Sequence, residues 1–77
     1  MWKKELQKQR AILAQNIKAL RGERGLAQEA LALDAGVDRT LVSKIERLIA
    51  NPSLEILIKL SLALDVPVIT LLQSAKR

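Results

Sequence analysis

The sequence predicts an all-α fold, a compact bundle of five helices, on three observations. Apolar residues recur at three- and four-residue spacing and do not alternate, which is the helical period. Hydrophobic content is 49%, yet Trp2 is the only aromatic residue, so the core must be built from Leu, Ile, Val and Ala. Gly25, Gly36, Pro52 and Pro67 fall between the periodic segments and punctuate them. A chain of 77 residues suits one small domain around one core.

The first helix is expected from about Lys4 to Arg21. Leu6, Leu13, Ile17 and Leu20 lie at helical spacing, and nothing from Trp2 to Arg21 breaks the pattern. Residues 1–10 are mostly polar and either extend this helix or form an arm. The second helix is expected from Gln28 to Ala35. Ala27 stands at its N-cap, where Ala is about 1 kcal/mol worse than Ser or Thr. Gly36 can take a positive φ and turn the chain, and Asp38 is an N-cap candidate for a third helix, Arg39 to Arg47. Pro52 stops regular structure and Ser53 caps a fourth helix running to about Leu64. That helix is apolar nearly all round, so it is expected to be buried on more than one side. Asp65-Val66-Pro67 makes a turn. A last short helix is expected from Val68 to about Ser74, with Leu71 and Leu72 inward, and 75–77 as a loose tail.

Thirteen Lys and Arg against eight Asp and Glu give a net charge of +5. Residues 1–24 carry all of that excess, with Lys3, Lys4, Lys8, Arg10, Lys18, Arg21 and Arg24 against Glu5 and Glu23. Such a balance favours a polyanionic partner, nucleic acid or an acidic membrane surface, although charge alone fits a solvated basic surface equally well. The absence of cysteine excludes disulfides and thiolate metal sites, and the absence of histidine removes the commonest general base and metal ligand. With no tyrosine either, no glycine-rich phosphate loop and no evident carboxylate pair, neither an enzyme nor a cofactor or metal site is expected. No apolar run approaches the length of a membrane span, and the polar start does not read as a signal peptide. The expected location is the cytoplasm.

The segment Gln28–Arg47 reads as two short helices joined at Gly36. Leu31, Ala32 and Ala35 share one face of the first, and Val42 and Ile45 share one face of the second. Ala32 is small where the two would approach most closely. A helix pair crossing steeply at a glycine turn is a helix-turn-helix unit. Its second helix would present Arg39, Thr40, Ser43, Lys44 and Arg47 away from the apolar side.

These residues resemble the helix-turn-helix of the Cro/repressor (XRE-like) DNA-binding regulators. The resemblance is carried by Gln28, Ala32, Gly36-Val37, Val42-Ser43 and Ile45-Glu46. It continues through Asn51-Pro52-Ser53-Leu54-Glu55, Leu60, Ala63-Leu64 and Val66-Pro67, with Ile17, Leu20-Arg21 and Gly25-Leu26 upstream. It covers roughly residues 14–73 and implies the lambda-repressor-like fold of five helices. Arg39, Thr40 and Lys44 match positions that reach base edges in the major groove, with Ser43 on the same face. Gln28, Arg47 and Asn51 match positions that contact phosphates and fix register. Arg21 and Glu46 match a pair that forms a structural salt bridge in relatives. Family members usually bind palindromic DNA as homodimers. The last helix, through Val68, Ile69 and Leu72, together with Leu62, is the expected dimer surface.

Four departures from the family pattern stand out. Ala27 lacks the usual polar cap. Leu48-Ile49 replace glycine and a polar or basic residue, so Leu48 forgoes an easy left-handed cap. Asp38 adds a negative charge near the DNA face, and Leu62 replaces a frequent lysine. The departures imply weaker non-specific DNA affinity, or more reliance on the basic first helix. Leu48-Ile49 also leave a second function open. In that reading the chain is an antitoxin-like module that binds a partner protein, with DNA binding secondary.

Overall fold

A computed structural model describes residues 1–74; the tail expected at 75–77 lies outside the described residues. Four α-helices follow one another: α1 (Trp2–Arg24), α2 (Gln28–Ala35), α3 (Leu41–Glu46) and α4 (Leu54–Ala63). A 3₁₀ segment, Val68–Leu72, closes the bundle. There is no strand among the described residues. The fold is therefore all-helical as expected, but the fifth helix is corrected to a single 3₁₀ turn. A local cause acts there. Val68, Ile69 and Thr70 are β-branched in succession, which disfavours α-helix. At its far end the Asn16 side-chain amide of α1 donates to the carbonyls of Leu71 and Gln73, each at 2.8 Å, and ties the segment to α1.

The core draws on every element. Leu13 and Ile17 of α1, Leu31 and Ala32 of α2, Val42 and Ile45 of α3, Leu57 and Leu60 of α4, and Leu64 and Leu71 beyond form one buried aliphatic cluster. Removing this apolar area from water is the main stabilising term, at roughly 1.5–3 kcal/mol per large side chain before entropic costs. Helix α1 is longer than expected at both ends. Its N-terminal half is held to the body by Arg10, whose Nε donates to the carbonyl of Ala50 at 3.0 Å.

Helix α4 corrects a second expectation. Leu57, Leu60 and Ser61 are buried, but Leu54, Ile58 and Leu62 are exposed in a stripe with four-residue spacing. None of the described residues covers them. Leu71 is fully buried, whereas Leu72 remains 40% exposed and so is not inward as expected.

All four helices end in the same way. After each, one residue takes a positive φ, and the next amide reaches back five residues: Leu26 to Arg21, Val37 to Ala32, Ile49 to Lys44 and Val66 to Ser61. This is the Schellman closure. Gly25 and Gly36 adopt it readily, at φ 63° and 70°. Leu48 and Asp65 adopt it too, at φ 63° and 56°. The left-handed cap at Leu48 thus forms without glycine, at a cost of about 1–2 kcal/mol. Its half-buried side chain lines a shallow pocket with Ala11, Ala14 and Lys18 of α1.

Two stability changes are expected here. A methyl group at Gly36 would meet no atom within 4 Å, so Gly36→Ala should cost only backbone strain, about 1 kcal/mol in chemical denaturation. Ala27 already has extended cap geometry (φ −69°, ψ 160°) but offers no side-chain hydrogen bond to α2. Ala27→Ser should therefore raise stability by about 1 kcal/mol, seen as a higher melting temperature. The equivalent bond exists at α4, where Ser53 Oγ accepts from the Ile56 amide at 3.2 Å.

Candidate nucleic-acid interface

Helix α3 is short and two-faced. Val42 and Ile45 are buried, while Arg39, Thr40, Lys44 and Arg47 are exposed and Ser43 is half-buried. The helix itself is shorter than the expected Arg39–Arg47. Arg39 and Thr40 belong to a turn that leads into it, because the Leu41 amide bonds to the Asp38 carbonyl three residues back. Asp38 organises that turn. Its Oδ1 accepts from the Thr40 amide at 2.8 Å and from the Thr40 hydroxyl at 2.6 Å. The Thr40 hydroxyl, then its amide, hold the Asp38 carboxyl below the usual carboxylate range, and the charges of Lys44 and Arg39 add to this. At the other end, Arg47 follows α3 and its Nε makes a long bond to the Ser43 carbonyl at 3.4 Å.

A three-way latch sits behind this face. Arg21 of α1 donates through Nε and Nη2 to the two carboxylate oxygens of Glu46, at 2.8 and 3.0 Å. Its Nη1 donates to the Leu26 carbonyl at 2.7 Å. Gln28, the first residue of α2, donates to Glu46 Oε1 at 3.0 Å. The side chains of Arg21 and Glu46 are only 18% and 5% exposed. Burial alone would push the Glu46 carboxyl up. Hydrogen bonds from Arg21 and Gln28, with the charges of Arg21 and Lys18, outweigh it and hold the carboxyl below its ordinary value. The hydrogen bond from Arg21 to Glu46 likewise raises the guanidinium above its usual range. A bidentate pair with a third donor fixes orientation as well as distance. The latch therefore ties α1, the start of α2 and the end of α3 together and sets how α3 protrudes.

Gln28 thus uses one amide hydrogen inside the protein. The uncapped start of α2 beside it keeps free backbone amides. Asn51 is exposed in the loop after α3, next to Ile49, which is 58% exposed. Sequence reasoning missed three contacts: Asn16 on the terminal segment, Gln28 on Glu46, and the double hold of Asp38 on Thr40. Only the last had a signal, the Asx-turn spacing of two residues. Among the described residues no cluster of His, Cys, Asp or Glu could hold a metal ion, and no helix is long and apolar enough to cross a membrane.

Residues 17–71, most of the chain, match the protein family described as Helix-turn-helix. The chain belongs to that family, in its Cro/repressor (XRE-like) branch. The HTH-type transcriptional regulator SinR of Bacillus subtilis is 47% identical over 62 residues, which are 79% of this chain and 56% of SinR. The chain thus spans little more than half the length of that relative. Among solved structures, the hypothetical transcription factor NHTF from Neisseria is similar with a TM-score of 0.85 at 40% identity, over 90% of this chain and 79% of that one. The restriction-modification controller protein C.AhdI from Aeromonas hydrophila gives a TM-score of 0.77 at 39% identity, over 80% and 94% of the two chains. The first 16 residues, including the basic start of α1, precede the family match.

Proposed function

We propose that this helix-turn-helix protein is a sequence-specific double-stranded DNA-binding regulator of transcription that reads palindromic operators through the major groove. One observation carries the proposal: Arg39 and Thr40 just before α3 and Lys44 on it stand in solvent, while Val42 and Ile45 anchor the helix in the core. A duplex groove about 12 Å wide admits one such helix. Arg39 and Lys44 would donate to guanine, with Thr40 and Ser43 beside them. Gln28, the free amides at the start of α2, Arg47 and Asn51 would hold phosphates and set register. Arg21 and Glu46 would act only through the latch, by holding α3 in place.

A homodimer fits this reading, because two half-sites one helical turn apart require two recognition helices about 34 Å apart. Leu62 is 75% exposed, Ile69 61% and Leu72 40%, and these would form the dimer surface. Val68 packs partly against the core and would support them. The exposed Leu54 and Ile58 extend the same stripe along α4. The function would be binding and not catalysis, in the cytoplasm, without a cofactor. Regulators and controller proteins among the relatives favour this over an antitoxin-like module. The deciding experiment selects bound duplexes from a random pool. A palindromic consensus supports both the reading and the dimer. Equal retention of all sequences would overturn it.

A further inference from the structure

We propose that Asp38 decides which bases Thr40 can read, by leaving the Thr40 hydroxyl able only to accept. The inference rests on the DNA-reading role of α3 put forward above. A threonine hydroxyl has one hydrogen and two lone pairs, so a free one donates or accepts as its partner requires. Here the hydrogen is given to Asp38 Oδ1 at 2.6 Å. The same oxygen holds the Thr40 amide at 2.8 Å, so backbone and side chain are fixed together. Both residues are exposed and precede the first turn of α3, and the charges of Lys44 and Arg39 are near enough to act on the Asp38 carboxylate.

What Thr40 retains toward a duplex is its lone pairs and its methyl group. An acceptor in the major groove meets the amino groups of adenine N6 and cytosine N4. It is repelled by guanine O6 and N7 and by thymine O4, which are acceptors themselves. The second carboxylate oxygen of Asp38 makes no hydrogen bond among the described residues and is an acceptor of the same kind. The reading face is therefore divided. Arg39 and Lys44 supply donors suited to guanine, and Asp38 with Thr40 supplies acceptors suited to amino-bearing bases. Discrimination at the second position works as much by rejecting guanine and thymine as by attracting adenine or cytosine.

The test selects bound duplexes from a random pool with the wild-type chain, Asp38→Ala and Thr40→Val in parallel. Wild type is expected to return one half-site position restricted to adenine or cytosine on the contacted strand, close to a guanine preference. Asp38→Ala frees the hydroxyl hydrogen, so discrimination at that position should fall about tenfold while the guanine preference stays. Thr40→Val should lose the same position and no other. If wild type returns no consensus, the DNA-reading role fails and this inference with it. If wild type returns a consensus that both variants reproduce unchanged, the role stands and the control by Asp38 is wrong. Should Asp38→Ala fail to fold, Thr40→Val decides alone: retention of the adenine or cytosine preference overturns the inference, and its loss supports it.

Discussion

Arg21→Met should lower the stability of the fold by about 3 kcal/mol, a large share of what a domain this small possesses. The substitution keeps the apolar stem and removes the guanidinium. Glu46, 5% exposed, is then left with the Gln28 amide in place of three donors. An almost buried carboxylate without its cation is strongly disfavoured. Glu46→Met should cost less, because Arg21 is 18% exposed and keeps the Leu26 carbonyl. The double variant Arg21→Met/Glu46→Met should recover much of the loss, since no uncompensated charge remains. Urea denaturation of the four proteins measures all of this in one cycle.

The dependence on pH gives an independent reading of the same latch. In the wild type the Glu46 carboxyl lies below its ordinary value of 4.5. Its contribution is therefore fully present above the unfolded value and is lost as pH falls through the folded one. In Arg21→Met, burial dominates and the folded value rises above the unfolded one. The sign then reverses, and that variant should lose stability as pH rises through the range above 4.5. The difference in melting temperature between the two proteins should accordingly shrink on acidification from pH 7 toward pH 4. A difference that grows would show that the pair is not what orders these elements.

Lys44→Ala should weaken binding to the selected duplex by about 1–3 kcal/mol per half-site and relax preference at one position. Lys44 is exposed and forms no ion pair among the described residues, so the fold should be unaffected. Arg47→Ala should behave differently. A phosphate contact carries no sequence information, so affinity should fall alike for selected and random duplexes. The dependence of log K on log salt should become shallower by about one unit per contact removed. Fluorescence anisotropy titrations at several salt concentrations separate the two outcomes. Equal losses on both duplexes for both variants would show that base and phosphate roles have been assigned wrongly.

The sequence by itself determined the order of the helices, the glycine turn, the aliphatic core and which side of α3 is apolar. These depend on local periodicity and on backbone preferences at Gly25, Gly36, Pro52 and Ser53, which are written along the chain. Tertiary structure alone decided other features. Leu48 turns left-handed because the Schellman bonds outweigh its intrinsic reluctance. Asn16, more than fifty residues upstream, donates to the carbonyls of Leu71 and Gln73 and so ties the last turn to α1. Gln28 joined the Arg21–Glu46 pair across the α2–α3 crossing. The apolar stripe Leu54, Ile58 and Leu62 stayed in solvent because none of the described residues packs over it. Each of these depends on which distant groups meet, and periodicity along a chain carries no record of that.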